Sequence, residues 1–343
     1  MTVLPTTSRE VKLLRRPGET PTPSDFEVLH CPMPQASAQE VLVRNRWFRV
    51  SISARLMMSA GAEDIKGIPF PPIQPGDTLA DGAIGEVISA PPGSGLRPGD
   101  MVAHHYGWRE YAAVPLELCV PLAPGPVHPV AYLGHGWTAY AALTRAVEVR
   151  QGDTVFISSG AGAIGSMAGQ IARKLGAAHV IGSTTSPGKA AWMKAELGYD
   201  TVIVTGSKPC VELLAEAAPQ GIDVYVDIVG GEQLQAAVEV ARDGARFVLL
   251  GALSAELATK GATKLAPVEL DSFQLILKGI SMRGYSADND ADAFHEWLQQ
   301  LNAWQECGGM HLVSSKFSGI DRAPQALHEA CLGRLKGLVY VEL

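Results

Sequence analysis

The chain has 343 residues, of which 47% are hydrophobic and 18% are charged, and its formal net charge is −7. This length exceeds one typical core and predicts two domains, with enough apolar material to bury extended sheets. The negative charge gives no electrostatic reason to expect nucleic acid or a membrane surface as a partner. No apolar stretch approaches the roughly 20 residues that cross a bilayer.

The amino-terminal segment lacks a basic head followed by an apolar run, so we expect no secretory signal and a cytoplasmic protein. Disulfide frameworks and structural zinc sites both need closely spaced cysteines. The cysteines of this chain are widely separated, at Cys31, Cys119, Cys210, Cys307 and Cys331. We therefore expect reduced, unpaired thiols.

Up to about residue 127, short alternating stretches are separated by turn residues. Segment 40–45 alternates in the manner of a strand, segment 82–88 continues the pattern, and segment 96–102 is a turn that leads into a strand. These features predict a β-rich domain of irregular strands. The proline-dense segment 115–129 marks its boundary.

Beyond this boundary, apolar strands alternate with helical patterns. The predicted strands and helices are, in chain order, strand 153–157, helix 164–175, strand 179–182, helix 189–197, strand 201–204, strand 223–227, helix 233–241 and strand 246–250. Strands that are apolar throughout and alternate with helices indicate a parallel sheet covered on both faces. The fold class is therefore α/β. Residues 1–127 and 305–343, with a closing strand at 337–341, form the β-rich domain, and residues 128–304 form the doubly wound sheet.

A glycine-rich turn follows the first strand of the second domain. Gly160, Gly162 and Gly165 form a G-x-G-x-x-G pattern that opens a helix, and a second strand ends about twenty residues later. The first glycine permits the tight turn, the second lets backbone approach a pyrophosphate, and the third lets helix pack against strand. The helix N-terminus adds unpaired N–H groups and a positive dipole end. Together with Ala163 and Ile164, these glycines are expected to bind the phosphates of a dinucleotide.

The end of the second strand indicates which nicotinamide cofactor binds. NAD sites usually carry Asp or Glu there, which accepts hydrogen bonds from the ribose hydroxyls. Segment 181–189 contains no carboxylate and offers several hydroxyls and Lys189 instead. A 2′-phosphate is repelled by a carboxylate and held by a cation and hydroxyls. NADP(H) is therefore expected rather than NAD(H).

Several segments match, in order, the motifs of one known family. They are RP at 16–17, DF at 25–26, EVLVRN at 40–45, GWREY at 107–111, TAY at 138–140, GAGAIG at 160–165, GQIA at 169–172, GIDVY at 221–225, VGG at 229–231 and GALS at 251–254. In these motifs the chain resembles the zinc-independent medium-chain dehydrogenases/reductases, in the branch of prostaglandin and leukotriene reductases and alkenal double-bond reductases. The resemblance implies a GroES-like catalytic domain, a Rossmann domain, an active-site cleft between them, and a homodimer joined edge to edge through the Rossmann sheets. It also implies reduction of a carbon–carbon double bond conjugated to a carbonyl.

The resemblance also implies roles for individual residues. Lys189 lies where the family holds the 2′-phosphate, and Ser183 and Thr184 line the adenosine end. The positions that surround the nicotinamide in the family correspond to Thr138, Gly251, Ala252, Leu253 and Tyr285.

Three positions depart from the family pattern. Glu256 replaces a tyrosine of many relatives, Ser53 ends a segment that often reads Asp-Pro-Tyr, and Thr205 replaces a tyrosine that helps to hold the 2′-phosphate. The cofactor assignment therefore depends mainly on Lys189, and the expected proton-donor groups are missing. Tyr106 is the candidate acid, and the alternative for it is a partly buried structural tyrosine.

Zinc-containing relatives carry Gly-His-Glu near the cleft and a metal-binding cysteine. The corresponding segment 79–81 reads Leu-Ala-Asp and has no histidine. A catalytic zinc needs about three protein ligands and an open position, so we expect no metal.

Other titratable and aromatic side chains are given structural roles. Adjacent residues of a strand point to opposite faces, so at most one of His104 and His105 faces the cleft. A structural role is favoured for His135. Trp297 and Trp304 fall on one face of a predicted helix and are expected to pack.

The predicted chemistry needs hydride delivery and little else. NADPH supplies the hydride, and the protein supplies position and electrostatics. Attack on the β-carbon of an enone moves charge onto the carbonyl oxygen, which backbone N–H groups, a hydroxyl or the cofactor's ribose can stabilise. The proton can then come from water. The alternative enzyme is an NADPH quinone reductase, and the alternative of another class is a non-catalytic NADPH-binding redox sensor.

Overall fold

The computed structural model describes residues 4–64, 71–123, 125, 127–258, 265–287, 290–307 and 309–343. The strands within these ranges are β1 (Thr7–Leu13), β2 (Phe26–Pro32), β3 (Glu40–Arg49), β4 (Ala83–Ser89), β5 (Met101–His104), β6 (Tyr111–Pro115), β7 (Val120–Pro121), β8 (Thr154–Ile157), β9 (His179–Thr184), β10 (Thr201–Val204), β11 (Ile222–Asp227), β12 (Ala241–Leu249), β13 (Ser281–Gly284), β14 (Ser314–Ser318) and β15 (Leu338–Glu342). The α-helices are α1 (Ala54–Met57), α2 (Gly136–Ala141), α3 (Gly165–Lys174), α4 (Pro187–Glu196), α5 (Cys210–Ala217), α6 (Gly231–Val240), α7 (Leu253–Glu256), α8 (Ser272–Leu277), α9 (Ala291–Glu306) and α10 (Ala323–Cys331). Across these ranges, no helix combines the length and the hydropathy that a membrane span requires.

The chain divides into two compact units. The first comprises Met1–Leu133, Glu256–Lys264 and Ser314–Leu343, and the second comprises Gly134–Ala255 and Leu265–Val313. The divisions therefore fall after residues 133, 255, 264 and 313, where the sequence analysis placed them after residues 127 and 304 only.

The first unit is built on a mostly antiparallel sheet. Its strand order is β14-β15-β3-β4-β5-β7, and β6 pairs with β3. The β1–β2 hairpin forms a separate two-stranded sheet. One core cluster joins side chains of this hairpin, of β3 and of α10, and its fully buried members include Leu13, Phe48 and Leu327. The β-rich domain expected from short alternating strands is present.

The second unit is built on a parallel sheet with strand order β10-β9-β8-β11-β12-β13. Every pairing between neighbouring strands is parallel. The central strands carry apolar residues on both faces because helices cover both sides. On one face, Tyr225 stacks on Phe156 with ring centroids 5.0 Å apart and meets Phe247 edge-on at 5.4 Å. The predicted α/β fold class is confirmed.

The strand order reverses beside β8, because the chain first builds outward through β9 and β10 and then returns to add β11 on the other side. In open α/β sheets, ligands bind beyond the carboxyl ends of the strands at this reversal. The fold therefore directs attention to the loops that follow β8 and β11.

Candidate cofactor site

The predicted phosphate-binding turn connects β8 to α3. The end of β9 holds it: the Gly160 N–H donates to the Ser183 carbonyl (2.8 Å), and the Ser159 N–H donates to the Ser183 hydroxyl (3.0 Å). The first turn of an α-helix leaves N–H groups without intrahelical acceptors. The start of α3 at Gly165 can therefore donate to a phosphate.

The three glycines of this turn are required for different reasons. A Cβ at Gly165 would lie 2.3 Å from the Ser159 carbonyl oxygen and 2.6 Å from the Gly160 Cα. Because these are backbone atoms, α3 could not keep its approach to the turn. A Cβ at Gly162 would find its nearest neighbour, the Ser159 hydroxyl, at 3.1 Å. Gly165 is therefore needed for the packing of α3 against the turn, whereas the missing side chain of Gly162 leaves the backbone of the turn open to a phosphate.

A buried tyrosine supports the turn from beneath. Tyr199 is 2% exposed, and its hydroxyl donates to the Gly165 carbonyl at 2.7 Å. Its ring occupies the space that a Cβ would fill at Gly169 and Gly182, at 2.5 and 2.7 Å. Burial raises the pKa of this phenol, so it stays a neutral donor. The sequence analysis missed Tyr199, although the small residues at Gly169 and Gly182 were a signal that something large packs against them.

Ser183 belongs to the interior of this site. It is 1% exposed, its hydroxyl donates to Gln233 Oε1 at 2.6 Å, and it accepts from the Ser159 N–H. This hydroxyl therefore joins the phosphate-binding turn to α6. Thr184 is also buried, and its hydroxyl accepts from the Ser186 N–H at 3.3 Å.

Two half-buried residues lie beside the end of β9. Lys189 lies in the first turn of α4, where its N–H donates to the Ser186 hydroxyl at the N-cap. Thr205 follows β10, and its N–H donates to the Thr184 carbonyl at 3.0 Å. The paired strands thus bring the predicted 2′-phosphate residues to the same end of the sheet.

The other half of the predicted site is formed by the loop after β12. Gly251, Ala252 and Leu253 are half-buried. The Leu253 N–H donates to the Ile228 carbonyl at 3.1 Å, and a Cβ at Gly251 would lie 3.0 Å from the same oxygen. This loop is therefore packed directly against the loop that follows β11.

Tyr285 follows β13, the last strand of the sheet, and its hydroxyl donates to Asp290 Oδ2 at 2.8 Å. Asp290 also pairs with Arg145, and Arg283 lies 5.6 Å above the tyrosine ring. Burial, together with Asp290, raises the pKa of Tyr285 to about 12. The phenol is therefore held as a neutral hydrogen-bond donor, which suits positioning more than proton transfer. Thr138 is half-buried on α2, a helix that contacts α3.

The sheet brings most of these residues to one edge. Apart from Thr138, every predicted cofactor residue follows or ends one of five strands, β8, β9, β10, β12 and β13, at its carboxyl end or begins the helix after it. This edge could hold the phosphates near β8, the adenosine near β9 and β10, and the nicotinamide near β12 and β13.

Aromatic residues of α9 pack as expected. Trp297 is 1% exposed, and its ring would clash with a Cβ at Gly136 at 2.2 Å. Trp304 and Tyr140 lie beside it, with ring centroids 6.4 and 6.0 Å from that of Trp297. The tryptophans therefore join α9 to α2.

The first unit contains the candidate acid, Tyr106. Its half-buried ring packs against an apolar cluster that includes Val41, Val43 and Val102, and Arg109 lies 5.8 Å above it. These contacts support a packing role.

The neighbouring histidines differ in burial. His104 is buried, its Nδ1 accepts from the Tyr106 N–H at 3.0 Å, and His105 is exposed. Burial, with the nearby charges of His105 and Arg109, lowers the pKa of His104 to about 3. His104 is therefore neutral at physiological pH. His135 precedes α2 at its N-cap position.

Asp81, which was expected to correspond to part of the Gly-His-Glu segment of zinc-containing relatives, is engaged by its own neighbours. Its carboxylate accepts from Arg49 Nε at 2.8 Å, from the Ser51 N–H at 3.0 Å and from the Gly82 N–H at 2.7 Å. No group of three or more His, Cys, Asp or Glu side chains in the described ranges could hold a metal ion. The cysteines are free, and burial raises the pKa of Cys119 to about 11 and that of Cys331 to about 12.

Comparisons with known proteins match both units. Residues 9–122 match the family model described as the N-terminal domain of oxidoreductase, and residues 163–303 match the model described as zinc-binding dehydrogenase. A relative in Bacillus subtilis (strain 168), named "Putative NADP-dependent oxidoreductase YfmJ", is 32% identical over 96% of this chain and 94% of its own length. Prostaglandin reductase-3 of Mus musculus is 27% identical over 91% of this chain and 84% of its own length.

A solved structure of similar architecture contains the expected cofactor. It is CurA in complex with NADPH from Vibrio vulnificus, with a TM-score of 0.86 and 27% identity, over 97% of this chain and 98% of that chain. The chain therefore belongs to the medium-chain dehydrogenase/reductase superfamily, in the branch of NADP-dependent oxidoreductases that includes the prostaglandin and alkenal reductases.

Proposed function

We propose that this chain is a zinc-free, NADPH-dependent reductase of the carbon–carbon double bond of α,β-unsaturated ketones and aldehydes. The observation that carries the proposal is the carboxyl edge of the parallel sheet, where the glycine turn, Lys189 and the 251–253 loop converge. The substrate class is supported by relatives of similar length that are named as curcumin, prostaglandin and 2-alkenal reductases.

The residues on this edge fit the parts of NADPH. Gly162 and the N-terminus of α3 would receive the pyrophosphate, and Lys189 would receive the 2′-phosphate. When bound, NADPH supplies a hydride. The packed loops after β11 and β12 and the fixed ring of Tyr285 would hold the nicotinamide in one orientation, which is what a protein contributes to hydride transfer.

Tyr285 in the second unit and His104 in the first are both poor proton donors. Tyr285 has a raised pKa and donates to Asp290, and His104 is neutral and buried. Neither is suited to act as an acid near neutral pH. We therefore assign the proton that reaches the α-carbon to water, and the stabilisation of the enolate oxygen to N–H or hydroxyl donors.

Product analysis with a deuteride-labelled cofactor tests the reaction. We expect deuterium at the β-carbon of a saturated product whose carbonyl is intact, because conjugate attack spreads charge over three atoms and needs no strong local acid. Activity should persist in chelator, and the purified protein should hold less than one zinc per chain. Deuterium on a carbinol carbon would contradict the proposal. Turnover of quinones without turnover of any enal or enone would favour the quinone reductase, and NADPH binding without any turnover would favour the sensor.

We also propose a homodimer that joins the parallel sheets of two copies through β13. This strand lies at the end of the sheet, where an unprotected edge invites pairing. Beside it in sequence, α8 exposes Phe273, Ile276 and Leu277, each more than 70% accessible. A two-fold contact would pair the strand edge and cover these apolar side chains in a closed assembly.

Light scattering is expected to give about twice the chain mass of 36.3 kDa. Ile276→Lys should shift the protein toward the monomer, because it places a charge on the apolar surface of α8. Leu118→Lys is the matched control, since Leu118 is exposed in the first unit. A wild-type monomer at micromolar concentration, or equal effects of the two variants, would contradict the proposed interface.

A further inference from the structure

We propose that Asp227 is a positioning residue that sets the nicotinamide half of the cofactor site through the loop that follows β11. The inference depends on the proposed function for its cofactor. Asp227 ends β11 and is 1% exposed. Its Oδ1 accepts from the Val229 N–H at 3.0 Å, the Gly230 N–H at 2.7 Å and the Tyr225 hydroxyl at 2.8 Å. One oxygen atom thus fixes the path of the chain as it leaves the strand.

The fixed loop has a conformation that depends on such support. Gly230 and Gly231 have φ of 73° and 55°. Glycine adopts such positive φ values without steric cost, but it is also the residue that loses most conformational freedom on folding. Without an acceptor at Asp227, the buried N–H of Gly230 and the half-buried N–H of Val229 would lose their partner. The Asp227 carboxylate therefore holds the loop in one conformation.

Ser158 connects this loop to the phosphate-binding turn. Its hydroxyl accepts from the Ile228 N–H at 2.7 Å and lies 3.4 Å from Asp227 Oδ1. Ser158 immediately precedes the glycine turn, and it is fully buried. The cluster of Ser158, Tyr225 and Asp227 therefore bridges β8 and β11 at the point where the strand order reverses.

Backbone hydrogen bonds join the loop after β11 to the 251–253 turn. The Ile228 carbonyl accepts from the Leu253 N–H at 3.1 Å, and the Val229 carbonyl accepts from the Ser254 N–H at 3.0 Å. The backbone carbonyl of Asp227 accepts from the Leu250 N–H at 2.8 Å. Three successive carbonyls thus hold the turn that the proposed function places beside the nicotinamide.

The partners of this carboxyl group are hydroxyl and backbone N–H groups. Burial raises the pKa of Asp227, against the lowering effect of those hydrogen bonds. Burying a carboxyl group in this way is unfavourable unless hydrogen bonds compensate. Its hydrogen bonds to the loop supply that compensation.

The test compares Asp227→Ala and Asp227→Asn with Asp223→Ala. Asp223 lies on the same strand at the opposite end, where it accepts from the Thr154 N–H and pairs with Arg242. Two ligands report on the two halves of the site. Adenosine 2′,5′-bisphosphate reports on the adenosine half, and the emission of bound NADPH reports on the immobilisation of the nicotinamide.

We expect Asp227→Ala to lose most of the enhanced NADPH emission and to lower kcat by about tenfold or more, because small misplacements of reacting groups have large effects on rate. Its affinity for adenosine 2′,5′-bisphosphate should stay within about twofold of wild type, and Asp227→Asn should restore emission and kcat to within about threefold, because it keeps Oδ1 as an acceptor. Asp223→Ala should lower Tm and leave the emission unchanged. Ser158→Ala, which removes the acceptor of the Ile228 N–H, should lower the emission in the same direction.

Full emission and kcat in Asp227→Ala, or equal losses for both ligands, would overturn the inference. If Asp227→Ala does not fold, unchanged emission in Ser158→Ala overturns it. A wild-type protein that reduces no enone or enal contradicts the proposed function, while the emission of bound NADPH still decides the role of Asp227.

Discussion

Gly162→Ala is expected to lower the affinity for NADPH by at least about tenfold while the fold persists. The added methyl group needs small movements of the Ser159 hydroxyl and carbonyl oxygens, which lie 3.1 and 3.3 Å from the new Cβ position. The methyl group nevertheless keeps the pyrophosphate from coming close to the backbone of the turn, and this close approach is needed for its hydrogen bonds. A tenfold loss corresponds to about 1.4 kcal/mol. Titration of tryptophan fluorescence measures it, with Tm recorded alongside.

Gly165→Ala is expected to lower the stability of the fold in addition to the affinity for NADPH. Its Cβ would lie within 2.6 Å of two backbone atoms, and overpacking of this kind costs about 1–3 kcal/mol. Tm should therefore fall by several degrees. Gly18→Ala is the neutral control, because a Cβ there meets nothing within 4 Å. If Gly162→Ala binds NADPH as tightly as wild type, the turn does not hold the pyrophosphate.

Lys189→Ala is expected to remove much of the preference for NADPH over NADH. In the wild type, we expect NADPH to bind at least about tenfold tighter, worth about 1.4 kcal/mol, because only NADPH carries the phosphate that this cation meets. The variant should lose affinity for NADPH and keep its affinity for NADH. Lys194→Ala, an exposed lysine farther along α4, should leave both affinities unchanged. Equal binding of the two cofactors by the wild type would refute the assignment.

The parts of the fold that sequence predicts well are those with local signals. Uninterrupted apolar strands predict β8, β9 and β11, and the glycine spacing predicts the turn before α3. Strand β12 begins at Ala241, several residues before the predicted strand 246–250, because Ala241 pairs with Ile222 on the neighbouring strand. Pairings of this kind depend on residues that are distant in sequence, so a local pattern does not show them.

The supports of the candidate site could not be predicted for the same reason. Asp227 is an ordinary strand-end carboxylate in the sequence, and no local pattern shows that it lies beside Ser158, 69 positions away. Ser183 was expected to line the adenosine end, yet its hydroxyl joins Ser159 to Gln233, 50 positions further on. Residues that follow parallel strands were predictable as a group. Which of them are half-buried and which are interior supports is decided by packing.

The interior position of Ser183 matters to anyone who wishes to convert this protein to NADH. The usual redesign introduces a carboxylate at the end of the second strand, where it accepts from the ribose hydroxyls. At Ser183 such a group would be buried, would displace the hydroxyl that holds the phosphate turn, and would face the side-chain oxygen of Gln233. Thr185 is exposed and immediately follows β9, so a carboxylate there stays hydrated. The position to redesign is thus Thr185 rather than Ser183.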